Sequence, residues 1–300
     1  MHRGRVSVDM RLELRPALPL PLPLPLTLTL PLTLTLPLTP VADPRLRRAG
    51  SSATMVAMRV EPWTPLGVAL ADYHRGERHH DLYVASDLWA EERVDVAEYY
   101  RPLDRQLPLV ERRALSLCRG RVLDAGAGAG RHALELQARG LQVTALDLSF
   151  DAVEVMRSRG VEDVRHGDLF SLAGELFDTV LLMMHGIGIV GDVAGLGRFL
   201  EQVSDLLAPG GHVVFDSAGL EAALSVQELG MARSHRASGA YLGEVEFSLR
   251  YRELQGAPYP WLFVDPDTVG LLCGAAGLGF ELAATGPAGA YLGRITLGEG

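Results

Sequence analysis

The chain has 300 residues, enough for one large α/β domain or two small ones, and its 48% hydrophobic and 22% charged residues are ordinary for a globular protein with a sizeable core. All 28 basic residues are arginine, which excludes a Schiff-base lysine, a pyridoxal phosphate anchor and a P-loop lysine. Two cysteines, Cys118 and Cys273, with no CxxC pair, argue against a disulfide scaffold and a structural zinc site, so no metal is expected and a reducing, cytoplasmic location is.

Residues 16–40 are a near-dipeptide repeat of Pro-Leu and Thr-Leu. Each proline removes an N–H and clashes with the preceding turn, so a transmembrane helix is excluded despite the leucines. The stretch is also a poor signal peptide, because its apolar region is broken by proline and lacks a small-residue cleavage site. Residues 1–54 are therefore expected to be a disordered, low-complexity segment, with the natural start at Met55 or Met58; an extended polyproline-like tether is the other reading. This segment carries seven arginines against Asp9, Glu13 and Asp43, a net of +4, so residues 55–300 carry −13 of the total −9. Such an acidic body repels phosphate backbones, and neither nucleic acid nor membrane is an expected partner.

Residues 55–118 are expected to form an N-terminal helical cap, with 87–118 mostly helical and interrupted at Pro102 and Pro108. From Arg121 strand and helix patterns alternate, which argues for a parallel sheet covered by helices. Strands are expected at Arg121–Asp124, Gln142–Asp147, Val164–Asp168, Phe177–Met184 and Gly211–Asp216. The fourth is apolar throughout, typical of a central strand buried on both faces. Helices are expected at Arg131–Arg139, at Phe150–Arg159 between Ser149 as N-cap and Gly160 as stop, and at Val193–Leu207 before Pro209-Gly210-Gly211. Gly243–Leu254 alternates and reads as a long exposed strand; a helix over Asp265–Gly277 and strands at Gly279–Ala284 and Tyr291–Leu297 close the chain. Residues 119–300 are taken as one domain with an insertion at about 218–262.

The strongest feature is Val122–Arg131, VLDAGAGAGR, at the first strand-to-helix turn. Glycines at 126, 128 and 130 let the backbone turn sharply and approach a ligand, while the next helix offers free N–H groups and a positive dipole end. A dinucleotide fingerprint needs glycine at the sixth position from Gly126, where Arg131 stands. Asp124, two residues before Gly126, opposes a pyrophosphate but suits a ligand with an ammonium group. Asp147, 21 residues after Gly126, can accept both hydroxyls of a ribose; a charge favouring the next helix dipole is the plainer reading. Asp168 can accept from an adenine amino group, with Leu148 and Leu169 offering apolar ring contacts; an ordinary turn aspartate is the alternative.

VLDAGAGAGRH, VTALDLS, GDLF, FDTVLLMMHGIG and LLAPGGHVVFD, in this order and spacing, resemble the motifs of class I S-adenosylmethionine-dependent methyltransferases. The resemblance is strong over about Leu117–Ser217 and extends weakly through GFELAA and YLGRITL. It implies a Rossmann-like, seven-stranded, mostly parallel α/β sheet, its last strand antiparallel and helices on both faces. It implies S-adenosylmethionine as cofactor, with Asp124, Ala125, Gly126, Ala127, Gly128 and Gly130 bordering the methionine part. Asp147 would hold the ribose, Leu148 and Leu169 would sandwich adenine, and Asp168 would bind its amino group. Arg131 would meet the methionine carboxylate or pair on its helix, and a structural role is favoured for His132. Met184 and His185 would lie beside the transferred methyl, His185 as base or acceptor-steering group, or else as a hydrogen-bonded histidine at a strand end. The segment lacks an Asn/Asp-Pro-Pro-Tyr/Phe sequence, which disfavours methylation of base or glutamine amino groups; the expected acceptor is a small molecule, methylated at oxygen, nitrogen or sulfur. Trp89, Tyr99, Tyr100 and Arg101 are lid candidates, though plain packing is the favoured reading, and Tyr251, Tyr259 and Trp261 are candidate substrate contacts. A nicotinamide-dependent oxidoreductase and a catalytically silent nucleoside-binding protein are the alternatives. Arg131 and Asp124 weigh against the first, the intact glycines and acids against the second.

Overall fold

The computed structural model describes residues 58–103, 107–235 and 240–298; the expectations for residues 1–54 and for Met55 lie outside them. In chain order the elements are β1 (Met58–Val60), α1 (Thr64–His74), β2 (Leu82–Ser86), β3 (Glu92–Val94), α2 (Leu109–Leu117), β4 (Arg121–Ala125), α3 (Arg131–Ala138), β5 (Gln142–Asp147) and α4 (Phe150–Arg159). They continue with β6 (Asp163–His166), β7 (Phe177–Leu182), α5 (Val193–Leu206), β8 (Leu207–Ala218), α6 (Leu220–Ala223), α7 (Val226–His235) and β9 (Glu244–Tyr251). Last come β10 (Leu254–Gly256), β11 (Tyr259–Leu262), α8 (Pro266–Ala275), β12 (Leu278–Thr285) and β13 (Ala290–Leu297).

Seven strands form the main sheet in the order β12-β13-β8-β7-β4-β5-β6. Strands β4 to β8 pair in parallel, whereas β13 runs antiparallel to both neighbours. Side chains alternate across this sheet: Leu123, Val180 and Val213 join α5 and α8 in one core, while Val122, Leu181 and Val214 join α2, α3 and α4 in another. Helices thus cover both faces, and β7 is buried over nearly its whole length. Local chemistry sets the helix ends: Ser149, Asp192 and Asp265 each accept a backbone N–H at the start of α4, α5 and α8, and Gly160 closes α4 at φ 93°. The fifth parallel strand is longer than its pattern suggests. Pro209-Gly210-Gly211 does not precede β8 but lies inside it, where the pairing with β7 shifts between Phe177 and Thr179.

Residues 58–118 are not the helical cap expected. They hold β1, β2 and β3 as well as α1 and α2, with only a short 3₁₀ turn at Val96–Tyr99. These strands join the 244–262 segment in a second, six-stranded sheet of order β1-β10-β9-β2-β3, with β11 also paired to β9. Strand β9 is its spine, antiparallel to β2 (Tyr83 opposite Arg250) and to β11 (Tyr259 opposite Phe247). The expected exposure of β9 is corrected with it: Val245, Phe247, Leu249 and Tyr251 share one buried face, as the period of two requires. Helix α1 joins the two layers, its Ala69 and Leu70 packed with Ala152 and Val155 of α4 and with the face of β9.

Candidate functional site

A continuous cavity of about 180 Å³ lies between the carboxyl edge of the main sheet and the inner face of the second sheet, where parallel α/β sheets place their ligands. Its floor is the loop from β4 to α3. Gly126 and Ala127 donate to Leu146 O (2.9 and 3.1 Å), and Gly126 and Gly128 take φ of 73° and 56°, which glycine adopts without strain. Gly130 also has a positive φ, but it faces away from the cavity: a Cβ there would meet Val161 Cγ2 at 2.8 Å and Met156 Cγ at 2.9 Å. The missing side chain there lets α3 pack closely on α4.

Three carboxylates lie around this loop. Asp124 is 2% exposed, and its Oδ2 has no hydrogen-bond partner. Burial pushes its carboxyl up to about 6, with His132 and the Ala133 N–H opposing and Asp147 adding to the rise. Asp147 accepts the Gly128 N–H at 2.8 Å on one oxygen and the Ser149 N–H at 2.8 Å on the other. Burial raises its carboxyl, and those two N–H groups hold the rise in check. Asp168 is exposed at the end of β6 and accepts the Phe170 N–H through Oδ1 at 3.0 Å, a bond in which Oδ2 takes no part. Leu148, Leu169 and Phe170 line the cavity beside Asp147 and Asp168.

Arg131 reaches the cavity from the start of α3 and is anchored from behind. Its Nη2 lies 2.8 Å from Glu111 Oε1, its Nε donates to Arg101 O at 2.9 Å, and its Nη1 has no hydrogen-bond partner. Glu111 also meets His132 Nε2 at 2.9 Å. Burial pulls the Glu111 carboxyl upward, but the His132 bond and the charges of Arg131 and Arg101 bring it below its ordinary range.

Of the residues expected to hold the cofactor, all but Gly130 line the cavity; His185, the expected base or acceptor-steering group, does not. Met184 lines it from the turn after β7. Met184 and His185 take φ of 66° and 58°, two consecutive side-chain-bearing residues in the left-handed region. The His185 ring turns away from the cavity to lie 5.5 Å from the Phe263 ring, fully buried, with neither nitrogen partnered. Burial lowers its pKa, opposed by Asp216, so it is held neutral. Asp216 in turn accepts the Gly186 N–H at 3.2 Å and fixes the turn. His185 is therefore placed to shape the turn rather than to reach an acceptor.

The opposite wall comes from α1, the second sheet and Tyr99. Of the lid candidates Tyr99 alone lines the cavity, its ring over Gly128 and its hydroxyl raised to about 12 by burial and by Asp147. Trp89 packs on Phe247 and Phe263, and Tyr100 donates to Leu70 O at 2.7 Å. Tyr259 and Trp261 line the cavity; Tyr251 instead donates to the buried Asp72 at 2.9 Å. Trp63, Leu66, Leu70, Val84, Phe247 and Leu249 were not expected there. The alternation of β9 was the one signal that pointed to the last two. Among the described residues no group of three or more His, Cys, Asp or Glu is placed to hold a metal ion, and no helix is long and apolar enough to cross a membrane.

The comparisons agree with this geometry. A methyltransferase-domain family model matches residues 122–211, from β4 into β8. The structure is similar to that of a SAM-dependent methyltransferase from Bacteroides fragilis in complex with S-adenosyl-L-homocysteine, with 33% identity, a TM-score of 0.70, and coverage of 82% of this chain and 100% of that one. It shares its fold with the CcbJ methyltransferase from Streptomyces caelestis at 15% identity, a TM-score of 0.53 and coverage of 79% and 99%. A search of curated proteins finds no match. A glycine loop ringed by acids, a sheet whose last strand is reversed, and a third of positions shared with a homocysteine-nucleoside-bound relative over that relative's whole length lead to one family: the chain belongs to the S-adenosylmethionine-dependent methyltransferases.

Proposed function

We propose that the cavity binds S-adenosylmethionine along the loop from Asp124 to Arg131 and passes its methyl group to a small-molecule acceptor held under the second sheet. One observation carries the donor's placement. Asp124 Oδ2 and Arg131 Nη1, a buried anion and a buried cation beside the same glycine loop, each lack a partner within the protein. An α-amino acid end group supplies an ammonium for the first and a carboxylate for the second. The spare lone pairs of Asp147 suit ribose hydroxyls, Leu148 and Leu169 suit the two faces of adenine, and Asp168 Oδ2 suits its amino group. The residues present therefore fit the donor along its whole length.

When bound, S-adenosylmethionine supplies a methyl carbon on sulfonium, which a lone pair attacks as the carbon–sulfur electron pair stays on sulfur. The protein's part is alignment and exclusion of water: Tyr99 covers the loop, and Met184 flanks the cavity on a turn stiffened by Asp216. The roofed cavity and the acidic body favour a small acceptor over a nucleic acid. Two unpaired thiols support a reducing, cytoplasmic location.

Calorimetric titration with S-adenosylhomocysteine tests the donor site. Asp124→Asn and Arg131→Ala are each expected to weaken binding by about tenfold or more, the loss of a charge-assisted hydrogen bond. Unchanged affinity in both, or stabilisation of the wild type by NAD alone, rejects the placement.

A further inference from the structure

The cavity divides sharply by charge. Each acid and arginine that lines it, namely Asp124, Asp147, Asp168 and Arg131, comes from the main-sheet half, as does His132. The half built from α1 and the second sheet contributes only aliphatic and aromatic side chains. Four rings there form a cluster: Trp63 and Tyr259 have centroids 4.4 Å apart, Tyr259 and Trp261 6.3 Å at 80°, and Phe247 lies 6.1 Å from Tyr259 and 6.5 Å from Trp261. Such spacings present faces and edges to a flat guest.

Within that apolar wall Trp261 carries a buried donor that is left unspent: its Nε1 has no partner. It lies directly over Gly188, where a Cβ would overlap the indole nitrogen, in the Gly186–Val190 turn that follows Met184. A buried N–H left without an acceptor carries its full desolvation penalty, which a ligand acceptor atom recovers.

We propose that the methyl acceptor is an uncharged, planar aromatic molecule, packed on the Trp63, Phe247, Tyr259 and Trp261 rings and oriented by a hydrogen bond from Trp261 Nε1. This rests on the proposed donor site, whose occupant fills the charged half. A charged acceptor would leave its ion in a wall with no counter-charge, where desolvation goes uncompensated. The aromatic faces attract a cation only modestly, and an ammonium would face the donor's own positive sulfur across the cavity.

The test uses protein saturated with S-adenosylhomocysteine, whose neutral sulfur leaves the wall alone to discriminate. Calorimetry compares 2-naphthol, 2-naphthoate, 2-naphthylmethylammonium and the saturated alcohol 2-decalol. 2-Naphthol is expected to bind about tenfold or more tighter than each of the others, and about three- to tenfold more weakly to Trp261→Phe, with the S-adenosylhomocysteine affinity unaltered. Equal or tighter binding of a charged analogue or of 2-decalol overturns the inference, as does no binding of 2-naphthol. Failure of S-adenosylhomocysteine itself to bind is a different result: it removes the donor site and the inference with it.

Discussion

At Asp124 two demands oppose each other. The carboxylate is buried, which raises its pKa to about 6, yet the proposed donor site needs it ionised to receive an ammonium. Without ligand the folded state holds the proton more tightly than the unfolded chain, whose aspartates titrate near about 3.9. Stability contributed by protonated Asp124 is therefore full below about 3.9 and lost as pH rises from there through about 6, on the order of 3 kcal/mol. Donor affinity has the opposite slope: S-adenosylhomocysteine binding is expected to weaken by about tenfold for each pH unit below about 6, and Asp124→Asn to flatten the profile, by titration across pH 4.5–8. Gly188 makes a second residue-scale case. A methyl there displaces the Trp261 indole, so Gly188→Ala is expected to lower 2-naphthol affinity by about tenfold while S-adenosylhomocysteine still binds, measured by the same calorimetry.

Among the elements, those of the donor half were legible because their signals are local. The β4–α3 glycine loop, the apolar β7 and the Ser149 and Gly160 boundaries of α4 each announce themselves within a few residues. Gly130 looks the same in sequence whether a ligand or a neighbouring helix requires it, and the closeness of Val161 and Met156 shows only in the fold. The second sheet was largely hidden. Strand β2 pairs with β9 across some 160 residues, and β1, β3 and β10 have three residues each, too few to show a period. Burial of β9 depended on a partner that no local pattern names. Helix α1 is held to this sheet by the buried Asp72, which accepts the Tyr251 hydroxyl and pairs with Arg75 and Arg252. Asp72→Ala is expected to cost about 2 kcal/mol by urea denaturation, since it strands a buried hydroxyl. Faster amide exchange should appear in α1 and β9 before β4 or β7.

Over the whole molecule the cavity is the seam between two sheets, bridged by α1 on α4 and by Tyr99 on the glycine loop. Donor binding should therefore tighten both layers at once. At a concentration 100 times Kd, S-adenosylhomocysteine is expected to add about 2.7 kcal/mol and raise Tm by about 5–10 °C in one cooperative transition, read by calorimetric scanning. A rise confined to part of a split transition would mean the layers unfold apart. The two walls have separate genetic addresses: one is written between residues 124 and 189, the other in two stretches, 63–99 and 247–261, joined by the β2–β9 ladder, by Asp72 to Tyr251 and Arg252, and by the Trp63–Tyr259 and Trp89–Phe247 ring contacts. With donor and acceptor on the walls proposed above, natural variation can diversify what is methylated without disturbing the reagent that does it. The ladder ties the two distant stretches together as a heritable unit, so chimaeras that swap both as a matched cassette should keep folding where single-stretch swaps fail.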